Sequence, residues 1–389
     1  MRWLTPLALC AGCTFSPGSA APTGDDAGFT DAPREIDASI DGVAPTVWLQ
    51  PWAHRKAITI VESQIDAPGN GSLANFPVMI SVDDDQIVAG SLAAGGADLV
   101  FTTSDALTIL ASEIETFRSN GEIVAWVKIP MLSSTANTQL YVYYGNATPP
   151  VATPEAVWTE SFTAVWHMSD NPNNNGAILD ATSASHDGQS QGMSTSDSVD
   201  GKVGRALDFD GGNDLVAFPA TTFGSSFTIS MWVNMAIANA GIKTLLANSL
   251  SGPTKNGFRL FVNTDLSQDH KIHLETGDGT NVNLASSFAA AIIPTQWAYI
   301  AVQVERDSNR ATIRVNGSDR TADNTIDNDF QTTGAFEIGR MGDLYNFPGV
   351  IDEVEVASVI RPSEWLETAY NNQRDPNGFH SLGMQENRP

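Results

Sequence analysis

The run from Phe227 to Asn234, FTISMWVN, restricts the fold of this chain more than any other segment. In an extended chain Phe227, Ile229, Met231 and Val233 point one way. Thr228, Ser230 and Asn234 point the other, with Trp232 among them. A period of two with β-branched and aromatic residues marks a half-buried strand and excludes an amphipathic helix. An acidic glycine turn, Asp208 to Asp214, comes before it, and a strand-like run leads into that turn.

The same period recurs along the chain. Between Trp48 and about Thr148, strands are expected at Ala57–Val61, Phe76–Val82, Leu99–Thr102, Ile109–Ile114, Ile123–Ile129 and Leu140–Tyr144, separated by Gly, Asn and Asp. Thr148-Pro149-Pro150 and Pro154 then break the chain. Beyond the break, Phe162–Met168 opens a second set of strands. Ala298, Ile300, Val302 and Val304 alternate with Trp297, Tyr299, Ala301 and Gln303, and Asn316-Gly317 marks a hairpin turn after Ala311–Val315. A helix is expected only near Pro362–Asn372, where Pro362, Ser363 and Glu364 suit a first turn and Trp365, Leu366, Ala369 and Tyr370 fall at helical spacing. The expected class is all-β: two β-sandwich domains, at 47–150 and 151–389, with a short C-terminal helix packed back on the second.

Three phrases in order, GRALDFDGGND leading to FTISMWV, QWAYIAVQV with ATIRVNG, and FEIG followed by GVIDEV, resemble the laminin-G-like, concanavalin A-like jelly rolls. The first half, with WAHRKAITI, NFPVMI, GADLVFT, AWVKIP and LYVYYGN, resembles a small domain of unknown function that often precedes jelly rolls in secreted bacterial proteins. The resemblance implies a jelly-roll second domain and a binding module, with carbohydrate the leading ligand class. A structural or adhesive protein that grips other proteins is the alternative, and a polysaccharide-active enzyme the third.

The N-terminus reads as an export signal. Arg2 is basic, Trp3 to Ala11 is apolar, and Ala11-Gly12-Cys13 follows. This resembles the bacterial lipobox, which implies that Cys13 is lipidated and heads the mature chain, although Cys10 stands where Leu is usual. A cleaved secretory signal is the other reading. Thr14 rather than Asp follows the cysteine, so the expected place is the cell surface, in a Gram-negative cell the outer membrane. The stretch 14–46 carries Asp25, Asp26, Asp31, Glu35, Asp37 and Asp41 among Ala, Gly, Pro and Ser, and is expected to be a disordered acidic linker. Cys10 and Cys13 are the only cysteines, so the folded part has neither disulfides nor thiolate metal sites. A net charge of −25 argues against nucleic acid and against docking on anionic lipid, leaving the lipid anchor as the membrane contact.

Catalytic patterns are missing. No Glu-x-Asp-x-x-Glu strand occurs in either folded half. Glu113-Ile-Glu115 and Glu353-Val-Glu355 each share a face by period two and are read as solvent-facing strand edges. There is no Gly-x-Ser-x-Gly elbow and no phosphate-binding loop. The histidines are scattered, and His167, between Trp166 and Met168, reads as a core or rim residue. No enzymatic turnover is expected. Calcium is the one cofactor with a case. Asp208 to Asp214 offers carboxylates with glycines that free backbone carbonyls, and the family resemblance implies Asp210, Asp214 and Asp352 as ligands; a solvated tight turn is the alternative. For a ligand, loop aromatics matter most, because sugar rings stack on flat side chains. Tyr345 and Phe347, with Asp343 and Asn346, form the best such loop, with the plugging of a sheet end by the two rings as the alternative reading, and Asn171–Asn175 is a further rim loop.

Overall fold

A computed structural model describes residues 47–389, with the exception of 174, 238–239, 249–255, 265–268, 328 and 343–344. The export segment, Cys13, the acidic linker and Asp343 lie outside the described residues, and the Asn171–Asn175 loop is described only in part. Among the described residues the strands form four sheets of antiparallel pairs.

The first sandwich has a four-stranded sheet in the order His380–Asn387, His54–Ile60, Thr138–Tyr144, Val100–Thr103, and a three-stranded sheet in the order Ser72–Asp83, Glu122–Ser133, Ser112–Phe117. Each strand expected from the sequence in this half is present, shifted by a few residues at its ends. Alternation builds the core: Ile58 and Ile60 from one sheet meet Phe76, Val78 and Ile80 from the other. One short helix, Asp85–Gly90, is capped where the Asp84 side chain accepts from the Ile87 amide.

The second sandwich is the jelly roll. Its first sheet orders Arg205–Asp210, Pro348–Ala357, Phe227–Met235, Trp297–Glu305 and Arg310–Val315, and Phe162–Trp166 also pairs with Pro348–Ala357. The second sheet is nine-stranded and includes Ile242–Ala247, Gly257–Asn263, Ile272–Gly277 and Thr333–Ile338. Phe227, Ile229, Met231 and Val233 enter the core between the sheets, together with Ala298, Ile300, Val302 and Val304.

The structure corrects the expected packing of the strands in two places. The opposite face of the Phe227–Met235 strand is not solvated. Thr228, Ser230 and Trp232 are buried, and Trp232 packs with Tyr299, Ala301 and the helix Ser363–Arg374 in one cluster with the first sandwich. In addition, the end of the chain does not stay with the jelly roll. Strand His380–Asn387 adds to the first sandwich by pairing with His54–Ile60. Glu386 is held there by Arg55 at 2.7 Å, whose guanidinium lies 4.6 Å from the Trp48 ring and 4.5 Å from the Tyr141 ring. The described residues therefore form a single compact unit.

The helix Ser363–Arg374 joins the two sandwiches. Trp365, Leu366 and Ala369 fill its apolar stripe, and Arg374 stands in its last turn. Its polar buried residues are all engaged. Gln373 accepts from the Trp232 indole at 2.6 Å. Asn372 accepts from the Met79 amide at 2.7 Å and donates to the Met79 carbonyl at 2.9 Å. Met79 lies on an edge strand, so Asn372 satisfies backbone groups that the sheet leaves open.

Candidate functional site

Two places gather the polar chemistry of the fold. The first lies where the sandwiches meet. Glu113 and Glu115 come from the strand Ser112–Phe117, whose register against Glu122–Ser133 shifts between Ile114 and Thr116. Glu353 comes from the long strand Pro348–Ala357, where the pairing with Phe227–Met235 shifts beside it and its φ is 49°. An extra residue in a strand breaks the period of two. Ile351 and Val354 thus both reach the jelly-roll core, while Asp352 and Glu353 sit between them on the face toward the first sandwich.

His167, at the end of Phe162–Trp166, sits among these acids. Its Nδ1 lies 2.9 and 3.1 Å from the two Glu353 oxygens and 3.7 Å from Glu115 Oε2. Its Nε2 lies 3.4 Å from Glu113 Oε2. The Trp126 ring stacks on the imidazole at 5.6 Å, and the Trp158 ring is tilted against it at 5.6 Å. Both indoles donate to the acids, Trp126 to Glu115 at 2.9 Å and Trp158 to Glu113 at 2.6 Å. The side chains of Glu115 and Glu353 are 1% and 0% exposed, and those of His167 and Glu113 are 9% and 16% exposed. A surface groove of about 460 Å³, lined by Glu113, Glu155 and the segment Leu179–Ser183, reaches the cluster at Glu113.

Electrostatics follow from this enclosure. Burial alone would lower the His167 pKa, but Glu353, Glu113 and Glu115 outweigh it and hold the ring well above its ordinary value. Glu113 is burdened by burial, yet His167 and the Trp158 N–H bring it below the ordinary carboxylate value. Burial raises Glu115, Glu353 and Asp352. Glu355 is pushed up to about 7 by burial, with Arg361 opposing. Single buried carboxylate oxygens are left without a partner at Glu115 Oε1 and Asp352 Oδ1.

The acid pairs expected at solvent-facing strand edges lie instead where the sandwiches meet: Glu353 and Glu355 are buried because the first sandwich covers that face of the jelly roll, the Glu115 side chain is enclosed, and Glu113 keeps an edge on the groove. The sequence reading missed the cluster. The available signal was Asp352-Glu353-Val354-Glu355 inside a run, Val350–Ala357, that is otherwise Ile, Val and Ala.

The second place is the outer face of the nine-stranded sheet. Phe258, Leu260 and Val262 point into the core, which turns Arg259 and Phe261 outward. Glu275 and His273 stand directly across from them. Arg259 donates to Glu275 at 2.7 Å, and its guanidinium lies 5.3 Å from the Phe261 ring and 5.7 Å from the Tyr345 ring. Its Nε has no partner. His273 stacks on Phe261 at 5.1 Å. Tyr345 is 38% exposed with φ of 62°, and its carbonyl accepts from the Thr244 amide at 3.0 Å.

The remaining expected site residues scatter. Phe347 is a correction: it is 0% exposed and belongs to the jelly-roll core, so no ligand reaches it. Asn346 turns its amide to the Gly212 carbonyl and ties the loop to the acidic turn. In that turn Asp210 accepts from the Gly212 and Asn213 amides, and Asp214 accepts from the Asp210 amide. Burial pushes Asp214 up to about 6. Asp352 does not join them. Asp210 pairs with Pro348, and Asp352 lies four residues further along the strand, about 13 Å away at the rise of an extended chain. Its carboxylate accepts instead from the Lys202 and Val203 amides, at 2.7 and 2.9 Å.

Residues 210–365 match the Laminin_G_3 family, described as the concanavalin A-like lectin/glucanases superfamily. Residues 95–178 match DUF2341, a domain of unknown function. No curated protein matches the chain. Similar solved structures include domain 4 of AbnA, a GH43 extracellular arabinanase from Geobacillus stearothermophilus, in complex with arabinotriose, at 17% identity, TM-score 0.42, and coverage of 54% of this chain and 98% of that one. The binding domain of Paraclostridial Mosquitocidal Protein 1 is similar at 14% identity, TM-score 0.41, and coverage of 54% and 52%. The receptor binding domain of botulinum neurotoxin D follows at 10% identity, TM-score 0.40, and coverage of 55% and 53%. The chain thus spans nearly all of the first and about half of the other two, and likeness at this level says nothing of what it binds. The chain carries a DUF2341 domain followed by a concanavalin A-like Laminin_G_3 domain.

Proposed function

We propose that this is an exported surface protein, tethered through Cys13, whose jelly roll binds carbohydrate without turning it over. The observation that supports this most is Tyr345. An aromatic ring stands 38% exposed on a sheet face, in a left-handed backbone conformation that costs a non-glycine residue energy, with a cation behind it. A ring fixed in this way, with the Arg259–Glu275 pair behind it, stacks on the apolar face of a sugar. The match to a family of lectins and glucanases points the same way.

Catalysis is not part of the proposal. Glycoside cleavage needs a pair of carboxyl groups on either side of the scissile bond. The acids that do come together crowd around His167, and the ligand atoms of Glu115, His167 and Glu353 lie within 4.8 Å of one another, too close to flank a sugar ring. The test is a glycan array with the full chain and with Tyr345→Ala. Binding to a defined set of glycans by the wild type, lost in the variant at unchanged melting temperature, is the expected result. Equal binding by both would move the site away from this face.

A further inference from the structure

We propose that the cluster between the two sandwiches is a divalent transition-metal site, in which Glu115, His167 Nδ1 and Glu353 hold the ion and Glu113 holds the far ring nitrogen. Spacing is the first argument. The ligand atoms of Glu115, His167 and Glu353 all lie within 4.8 Å of one another. Around a tetrahedral zinc, with bonds of about 2.0–2.2 Å, donor atoms lie about 3.4 Å apart. The distances from Nδ1 of 2.9 Å to Glu353 and 3.7 Å to Glu115 bracket that value.

The second argument is Glu113. A ligating histidine generally gives its other N–H to a carboxylate, which fixes the tautomer and turns the lone pair toward the metal. Glu113 Oε2, 3.4 Å from Nε2, occupies that position, and the Trp158 indole fixes it in turn. The third is the unpartnered oxygen. Glu115 is 1% exposed and turned to the imidazole, yet its Oε1 has no donor. A buried carboxylate oxygen without a donor is costly, and an ion supplies what it lacks.

The donor set selects the class of ion. Calcium takes six to eight oxygens, whereas an imidazole nitrogen with carboxylates suits zinc and its neighbours. The groove lined by Glu113 opens beside the cluster on the Nε2 side of the imidazole, opposite the ion. The ligands come from both sandwiches, Glu115 from the first and His167 and Glu353 from the second, so the ion would fasten the two together. This role is independent of what the jelly roll binds.

The test uses the full chain, stripped with chelator and dialysed against zinc. About one equivalent should remain on the folded protein, with a raised melting temperature that chelator reverses. Calcium and magnesium should produce neither effect. Glu113→Gln, which leaves all three ligands in place, should weaken zinc about 10–100-fold in competition with a chromophoric chelator. His167→Gln should abolish uptake; if that variant does not fold, the Glu113→Gln affinity decides. Folded wild-type protein that takes up no stoichiometric zinc would overturn the proposal. So would wild-type zinc affinity in Glu113→Gln.

Discussion

Replacing Asn372 by Ala should loosen the joint between the two sandwiches more than its small change in volume suggests. The Asn372 amide accepts from the Met79 N–H at 2.7 Å and donates to the Met79 carbonyl at 2.9 Å. Met79 pairs with Trp126 on one side only, since its strand is at the edge of its sheet. Asn372 and Met79 are 1% and 2% exposed, so water does not replace the lost partner. Leaving a buried donor or acceptor unpaired costs about 1–3 kcal/mol, so losing both should cost roughly 2–6 kcal/mol. Chemical denaturation followed by tryptophan fluorescence measures this as a fall in the midpoint, with Trp126, Trp158 and Trp232 near the joint as reporters. Asn372→Asp keeps the acceptor but sets a carboxylate against the Met79 carbonyl, and should be at least as destabilising. A loss below about 0.5 kcal/mol for Asn372→Ala, the range of ordinary surface substitutions, would refute the reasoning.

Three further outcomes are expected. His380 accepts from the Ser81 amide at 3.2 Å and burial pushes its pKa down to about 4. The unfolded chain therefore binds the proton first, so this group's stabilisation is present above about pH 6.5 and is lost as pH falls toward 4, by up to about 3 kcal/mol. Urea titrations across that window should show a shallower acid loss in His380→Gln, which keeps an acceptor for Ser81; identical slopes would contradict this. Phe347→Ala should cost about 3–5 kcal/mol because the ring is 0% exposed, whereas Tyr345→Ala should leave the melting temperature nearly unchanged. Wild-type protein should partition with membranes and Cys13→Ser should release it; wild-type protein found wholly in the medium would end the anchor reading.

The sequence made the strands legible because their period of two is local. Phe227, Ile229, Met231 and Val233 face the core as the alternation requires. What it hid are features set by neighbours distant in the chain. The period of two cannot show a bulge, and a positive φ at Glu353 reverses which side its neighbours face. Nor can it show that a polar face is covered, as Ser230 and Trp232 are once the first sandwich packs over them. The final strand escaped notice because His380 to Asn387, HSLGMQEN, holds a glycine and no β-branched residue; it pairs because His54–Ile60 offers a free edge. Tyr345 and Phe347 lie two residues apart in one loop, and only the packing separates an exposed ring from a core one.

The central claim, binding of carbohydrate without turnover, is tested most directly in one sample. Pure full-length chain is incubated with insoluble polysaccharides, and the fraction pelleted is measured together with the reducing ends released. Protein is expected in the pellet with at least one polysaccharide, lost in Tyr345→Ala, with no reducing ends above the protein-free control. Release of reducing ends that rises with time and with protein would contradict it, as would protein that stays in the supernatant with every polysaccharide.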